Sequence, residues 1–172
     1  RTLIDEAVAA SRDLDDRTAR PRPLALAEDA VTRAHIEAMM TYLADNSLER
    51  GDIDVAGFHG QTVLHRPEAA LTVQLGDGAL LARETGVDVV YDMRANDMEH
   101  GGQGAPLVPV YHRALARQAG LDTPVAIVNV GGVANVTWLG RDGEMVAFDT
   151  GPGNAMLDDW VASRTGERID ED

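Results

Sequence analysis

Residues Asn129–Asn154 read NVGGVANVTWLGRDGEMVAFDTGPGN, and this stretch decides the local fold. Gly131-Gly132 and Gly140–Gly143 are turn sequences, and apolar and polar side chains alternate between them, as in a strand with one buried face. A nearly unbroken β-branched run precedes the first turn. The pattern predicts an antiparallel meander with strands at Pro124–Val130, Val133–Leu139 and Glu144–Asp149.

The third predicted strand ends in Asp149, and a glycine-rich segment then leads into a helix from about Ala155 to Arg164, with Asn154 as a natural N-cap. Glycine turns beside a helix N-terminus predict a nest of backbone N–H groups that suits a phosphate, and the adjacent acid suits proton transfer. Asp149 is alternatively only a partner of the helix dipole. The candidate phosphate- and nucleotide-binding residues are Gly131, Gly132, Asn135, Gly151, Gly153 and Asn154.

Composition narrows the class of protein. The 172 residues carry a formal charge of −14, which argues against nucleic acid and anionic membrane as partners. All 15 basic residues are arginine, so ATP chemistry needs a cradle other than a lysine-bearing Walker-A loop. Cysteine is absent, which excludes disulfides and thiolate metal sites. No apolar run approaches a bilayer span and no signal peptide is visible, so we expect a cytoplasmic location.

Upstream of the meander, the order of elements predicts a parallel α/β arrangement. A strand, a helix and another strand follow two helices, and a long loop precedes a last helix. The predicted helices are Arg1–Arg20, Leu24–Asp45, Gly78–Thr85 and Val108–Ala119, the strands are Asp54–His59, Leu71–Leu75 and Val87–Tyr91, and the loop is Met93–Pro109. After Gly120 the predicted pattern changes from mixed helices and strands to the antiparallel meander, which predicts domains at residues 1–122 and 123–172. Because Arg1 reads as mid-helix, we expect a piece of a longer protein.

Polar clusters follow three of the predicted strands, where ligands of open α/β sheets bind. One begins at His59 and includes Gln61, a second contains Arg94 and Asp97 and leads to Gln103, and the third begins at Asp149. Each has a plain structural alternative: His59 is a capping histidine, Arg94 and Asp97 form a surface ion pair before a bare glycine turn, and Asp149 is a partner of the helix dipole. Their co-occurrence within one hundred residues favours a functional interpretation.

Several linked motifs, in order, resemble the anhydro-N-acetylmuramic acid kinase family. They are GFHGQTVLHRPE from Gly57, LTVQLGDGALLARETGVDVVYDMRANDMEHGGQGAPLVPVYH from Leu71, VNVGGVANVT from Val128 and FDTGPGNAMLDDW from Phe148. The resemblance implies a ribonuclease-H-like, actin-like ATPase fold, here incomplete and comprising parts of two domains. It also implies a kinase that uses ATP, Mg²⁺ and water to open 1,6-anhydro-N-acetylmuramic acid while phosphorylating O6, in peptidoglycan recycling.

The resemblance implies that Asp149 is the general base, and His59, Gln61, Arg94, Asp97 and Gln103 are our candidates for sugar or inter-domain contacts. No protein-held metal is expected, since Mg²⁺ arrives with ATP. The family's first phosphate loop, of the type GxMSGTSxDG, and the rest of its second domain do not occur in this sequence. An inactive fragment or binding module, or another sugar kinase, therefore stays an alternative. Uncovered sheet faces would favour self-association, of which a homodimer is the simplest form.

Overall fold

The computed structural model describes residues 2–166, which fall into two compact units, Arg1–Ala105 and Pro106–Asp172. This division lies earlier than the predicted boundary at 122/123, because the helix that begins at Val108 packs on the meander that follows it. The assignment of the two units to the domains of an actin-like fold stays a prediction.

The helices of the described residues are α1 (Thr2–Ser11), α2 (Arg22–Asp45), α3 (Gly78–Thr85), α4 (Met93–Glu99), α5 (Val108–Gln118) and α6 (Ala155–Thr165). The strands are β1 (Ala56–Phe58), β2 (Gln61–Arg66), β3 (Leu71–Leu75), β4 (Val89–Tyr91), β5 (Val125–Val130), β6 (Val133–Leu139) and β7 (Met145–Pro152). Short 3₁₀ turns occur at Arg50–Asp52 and Pro67–Ala69. None of the helices between residues 2 and 166 is long and apolar enough to cross a membrane.

In the first unit, β1 and β4 pair in parallel, as predicted, but the predicted strand at Leu71–Leu75 lies outside this sheet and pairs antiparallel with β2. The helix between β3 and β4 begins and ends as its sequence predicts: the Asp77 carboxylate accepts the N–H of Leu80, and Gly86 closes the helix in the left-handed region at φ 70°. The apolar run at Val87–Tyr91 is buried only at its start, since Val87 is 3% exposed whereas Val90 and Tyr91 are about half exposed.

The sequence pattern predicts no strand at β2, because the first residues of β2 belong to the polar cluster that begins at His59. In the structure β2 pairs with β3 as an antiparallel hairpin, with a register irregularity between Thr62 and Leu64. The polar side chains of Thr62 and His65 hide the strand pattern in the sequence. Only one of its residues, Val63, is fully buried.

The predicted loop Met93–Pro109 is also corrected, since it contains the two-turn helix α4. Ala95 and Met98 lie one turn apart and are both buried, so packing stabilises a helix that the neighbouring charges and glycines obscure. The irregular part of the loop is confined to the segment after His100.

The core of the first unit lies between α1, α2 and the β2–β3 hairpin. Its buried residues are Ala7, Leu24, Ala27, Val63, Leu71, Val73 and Leu75. The sequence predicted the helix at α2, but Leu26 and Met40 of the expected apolar stripe are exposed. The buried stripe instead includes Thr32, whose hydroxyl accepts the Asp77 N–H at 2.9 Å.

The second unit confirms the predicted meander, with sheet order β5-β6-β7 and antiparallel pairing throughout. Strand β7, however, does not end at Asp149 but continues through Pro152. Asn135 pairs with Asp149 and Ala134 pairs with Gly151, so Thr150 is an extra residue, a β-bulge. The Thr150 hydroxyl donates to the Ala134 carbonyl at 3.1 Å, which holds the bulge in place.

The two faces of the meander differ in burial. Thr137 and Leu139 are buried on the face next to α5, and the His112 ring nitrogen lies 2.8 Å from the Thr137 hydroxyl. The opposite face carries a row of paired apolar side chains across the three strands, all partly or largely exposed: Val128, Val136 and Phe148. Phe148 is 55% exposed and Val128 is 61% exposed. We call this surface the apolar sheet face.

An exposed apolar sheet face favours association, so we expect the isolated chain to form oligomers. Phe148→Asp places a charge in the middle of that face and should shift the chain toward monomer. Light scattering after size-exclusion chromatography measures the change. Gln118→Asp adds the same charge on exposed α5 and should leave the oligomer unchanged. A monodisperse wild-type monomer would contradict the expectation.

Candidate active site

His59 and Arg94, at the ends of the parallel strands, are in direct contact. The Arg94 Nε donates to His59 Nε2 at 3.1 Å, and His59 Nδ1 lies 2.8 Å from the Gly60 carbonyl oxygen. A guanidinium has no lone pair to offer, so Nε2 must be the acceptor and the imidazole proton must be on Nδ1. Both ring nitrogens of His59 are therefore already occupied by protein partners.

Arg94 and Asp97 lie one turn apart on α4, and both form hydrogen bonds with the backbone of Gly104. Arg94 Nη1 donates to the Gly104 carbonyl at 3.1 Å, and the Gly104 N–H donates to Asp97 Oδ2 at 2.8 Å. Asp97 also lies against Gly102, where an added Cβ would clash with the carboxylate. These contacts fix both sides of Gln103 and hold the glycine loop against α4.

The structure brings His59, Arg94 and Asp97 together around one loop, but it does not bring Gln61 into hydrogen bonding with them. The Gln61 side chain donates to the neighbouring Thr62 carbonyl at 3.2 Å and is exposed. Gln103 is also exposed, and its side chain has no hydrogen-bond partner among residues 2–166. The Arg94 Nη2 also has no hydrogen-bond partner among residues 2–166, so this nitrogen is available to an anion.

Asp149 lies in the second unit, in a row with two amides. The register pairs Asn129 with Asn135 and Asn135 with Asp149, so the three side chains share the same sheet face, in the order amide, amide, carboxylate. Asp149 is exposed. Within the described part of the chain, no donor reaches its carboxylate. The nest of N–H groups predicted beside Asp149 thus makes no hydrogen bond to this carboxylate among the described residues.

The two glycine segments bind each other. The Gly153 N–H donates to the Gly132 carbonyl at 2.9 Å, the Asn154 N–H donates to the Gly131 carbonyl at 2.8 Å, and the Gly131 N–H is bonded to Val133 at 3.3 Å. The sequence predicted these amides as phosphate donors, but here they are used within the protein. Asn154 occupies the N-cap position of α6, yet its side chain makes no capping bond.

The amides that stay free lie next to these turns. Between residues 2 and 166, no acceptor faces the N–H groups of Gly132, Ala155 and Met156. An ideal Cβ on Gly132 would lie 3.6 Å from the Ala155 Cβ, so Gly132 lies beside the first residue of α6. Sequence reasoning missed Ala155 and Met156, although the first N–H groups of any helix lack intrahelical partners. We call Gly132, Ala155 and Met156 the amide cradle.

The amide cradle fits a phosphate oxygen in charge and kind of donor, since free backbone N–H groups at a helix N-terminus favour anions. Across the described residues, no group of three or more histidine, aspartate or glutamate side chains could hold a metal ion. This unit thus combines free backbone N–H groups with an exposed carboxylate on the preceding strand.

Parallel and antiparallel sheets with packed helices make this an α/β protein, consistent with an incomplete actin-like ATPase fold. The family model for anhydro-N-acetylmuramic acid kinase matches residues 10–172. The chain belongs to that family of sugar kinases.

Individual relatives agree with the family match. The chain is 58% identical over 171 residues to the anhydro-N-acetylmuramic acid kinase of Methylorubrum extorquens. The match covers 99% of this chain and 45% of that protein. It is 53% identical over 173 residues to the Agrobacterium fabrum kinase of the same name, covering 99% of this chain and 46% of that protein. It is 51% identical over 172 residues to the Brucella abortus kinase, covering 99% of this chain and 46% of that protein. The chain thus spans about half the length of the curated relatives it matches.

The contact between the two turns predicts that alanine at Gly153 lowers the stability of the fold, whereas alanine at Gly132 does not. A Cβ at Gly153 would lie 2.0 Å from the Gly131 oxygen, so Gly153→Ala must separate the turns and should destabilise the fold by about 1–3 kcal/mol. Gly132→Ala meets only an ordinary contact and serves as the matched control. Denaturant unfolding of both variants measures the difference; equal stabilities would contradict the proposed packing.

Proposed function

We propose that this chain carries the catalytic base and part of the phosphate site of an ATP-dependent kinase acting on 1,6-anhydro-N-acetylmuramic acid. The observation that supports it most directly is the free, exposed carboxylate of Asp149, in the same small sheet as the amide cradle. Membership of the kinase family supplies the reaction class. The product would be N-acetylmuramic acid 6-phosphate, made in peptidoglycan recycling.

The proposed reaction couples two displacements. Asp149 takes a proton from a water molecule, whose oxygen attacks the anomeric carbon. The bond from that carbon to O6 breaks, and O6 forms a bond to the γ-phosphorus of ATP while the bond from that phosphorus to the bridging β-phosphate oxygen breaks and ADP leaves. A carboxylate base on the face opposite the departing oxygen is what inversion at an anomeric centre requires. The missing protein donors at Asp149 suit this role, because its oxygens stay available to the water.

On the phosphate side, the chain's own contribution is the amide cradle. Phosphoryl transfer needs positioning and donors rather than a covalent group from the protein. The N–H groups of Gly132, Ala155 and Met156 would hold phosphate oxygens, and Gly131, Gly151, Gly153 and Asn154 would shape the turns that present them. Asn135 lies beside Asp149 and would orient the carboxylate or the water. Mg²⁺ bound to ATP would neutralise developing charge.

On the sugar side, Arg94 is the residue best suited to the substrate's lactyl carboxylate. Its Nη2 is free among the described residues, while its other nitrogens bind His59 and Gly104. His59 and Asp97 would act by positioning, since their polar atoms are engaged, and exposed Gln61 and Gln103 would contact the sugar or the other domain. We also propose a cytoplasmic enzyme that can form a homodimer and has no nucleic-acid or membrane partner.

Asp149→Asn tests the proposed base, because it keeps the side-chain shape and removes its basicity. In a protein of full family length that carries this segment, kcat should fall roughly 10²–10⁴-fold. The dissociation constants for sugar and ATP should stay within a few-fold, and the melting temperature should not change. Asp142→Asn, in the exposed β6–β7 turn, is the matched control. A near-normal kcat for Asp149→Asn would remove this residue from the mechanism.

Gly132→Val tests the phosphate side. The fold has room for a Cβ there, whereas a phosphate approaching the amide would meet the added methyl groups. We therefore expect KM for ATP to rise far more than KM for the sugar. Gly51→Val, whose Cβ would meet no atom within 4 Å, should change neither constant. Equal changes in both constants would mean that Gly132 has only a structural role.

A further inference from the structure

A single residue, Asp92, joins strand β4 to helix α4. The strand ends at Tyr91 and the helix begins at Met93. The backbone of Asp92 is in the left-handed region, with φ 54° and ψ 33°, a conformation that is uncommon for residues other than glycine. Because one residue makes the whole turn, its backbone angles decide the direction in which α4 leaves the sheet. Such a conformation persists where the surrounding contacts hold it.

The side chain of Asp92 does not cap the helix that it precedes. An aspartate at the N-cap position usually accepts an N–H from the first turn, but Asp92 makes no such bond among the described residues. Its carboxylate instead pairs with the guanidinium of Arg17, from the segment between α1 and α2. Asp92 is thus engaged by a residue 75 positions earlier in the chain rather than by its own helix.

Arg17 reaches Asp92 from a segment that is itself held in place. The Arg20 Nη1 donates to the Arg17 carbonyl at 2.8 Å, and the Arg20 Nε lies 3.0 Å from both carboxylate oxygens of Glu28. Glu28 belongs to α2 and also accepts the Gly76 N–H at 3.2 Å. Through Arg17, the start of α4 is therefore connected to the long helix of the first unit.

Arg94 follows the turn by two residues, so its position depends on the direction of α4. Strands β1 and β4 are parallel and in register, and His59 and Asp92 follow them at the same level of the sheet. From α4, the Arg94 Nε donates to His59 Nε2 at 3.1 Å and the Nη1 donates to the Gly104 carbonyl at 3.1 Å. A rotation of α4 about its first residue would separate Arg94 from both partners.

The pair formed by Arg17 and Asp92 has little capacity to stabilise the fold. The two side chains are 33% and 36% exposed, and exposed ion pairs contribute little to stability. The Arg17 Nε is buried and has no hydrogen-bond partner within residues 2–166, which costs free energy. The contact is therefore explained better by the geometry that it imposes on α4 than by a gain in stability.

We propose that Asp92, held by Arg17, is a positioning residue that sets the direction of α4 and thereby places Arg94. This inference rests on the proposed function, in which the free Nη2 of Arg94 binds the carboxylate of the sugar. Asp92 and Arg17 act through Arg94 rather than by contact with the substrate. Their effect should therefore fall on sugar binding and not on ATP binding.

Three variants at Asp92 separate the side chain from the backbone. Glycine adopts the observed φ without strain but lacks the carboxylate, asparagine tolerates the left-handed region and keeps an acceptor oxygen, and alanine loses both features. In a protein of full family length, Asp92→Gly should raise KM for the anhydro-sugar roughly 10-fold, the effect of weakening one charged hydrogen bond to the substrate. Asp92→Asn should restore much of the binding, and Asp92→Ala should lose at least as much as glycine.

The melting temperature distinguishes positioning from a structural role. In Asp92→Gly it should stay nearly constant, because relief of the left-handed strain offsets the greater freedom of the unfolded chain. KM for ATP should not change in this variant. A raised KM for the sugar at constant stability is what positioning predicts. A normal KM in Asp92→Gly, with a raised KM in Asp92→Ala alone, would mean that the backbone suffices and would overturn the inference.

Arg17→Met tests the same contact from its other end. It removes the guanidinium together with the buried unpaired Nε and keeps an apolar side chain. We expect the same rise in KM for the sugar, and no further rise when Arg17→Met is combined with Asp92→Gly, because both changes break one contact. Arg33→Met is the matched control, since it breaks the exposed ion pair with Asp29 on α2. Additive effects in the double variant, or a raised KM in the control, would contradict the proposal.

NMR without substrate separates this inference from the proposed function. Isotope labelling of arginine follows the Arg94 Nε–H, whose bond to His59 forms within the protein. We expect Asp92→Gly and Arg17→Met to shift this resonance and Arg33→Met to leave it unchanged. A shifted resonance with unchanged KM for the sugar would support the positioning of Arg94 and contradict its proposed role in sugar binding. An unshifted resonance in both variants would overturn the inference, whatever the kinetics.

Discussion

The first unit depends on two hydrogen bonds that α2 makes to the turn between β3 and α3. The Gly76 N–H donates to Glu28 at 3.2 Å, and the Asp77 N–H donates to Thr32 at 2.9 Å. These amides are only partly covered, and Glu28 and Thr32 supply their acceptors from the side of α2 that faces the turn. They fix the long helix against the hairpin, and Glu28 also holds Arg20.

The second unit solves the same problem with backbone groups alone. Its two glycine turns satisfy each other, which joins the sheet and α6 at one corner and leaves the amide cradle as the remaining donors. This mutual bonding explains why Gly132 and the first residues of α6, rather than all the glycines, keep free N–H groups. Glycine at position 153 is required by close backbone packing, whereas glycine at 132 leaves space in front of an amide.

The sequence predicted those elements whose local pattern and tertiary burial agree, and missed those where they conflict. The meander and α3 have matching alternation, turns and caps. Strand β2 and α4 depend on a few buried contacts, such as Val63 and Met98, that polar neighbours conceal. In the candidate site, Asp149 was found because it ends an apolar run. Ala155 and Met156 were not, since the free N–H groups at the start of a helix have no side-chain pattern of their own.

The bulge at Thr150 adds one residue between the catalytic candidate Asp149 and the glycine corner at Gly153. Side chains alternate along a strand, so any further change of length between these two residues would turn one of them to the wrong side of the sheet. With one extra residue absorbed at the bulge, the carboxylate follows the sheet register and the corner follows α6. Insertions and deletions among homologous sequences should therefore be tolerated before Asp149, in the Gly140–Gly143 turn, and strongly selected against between Asp149 and Asn154.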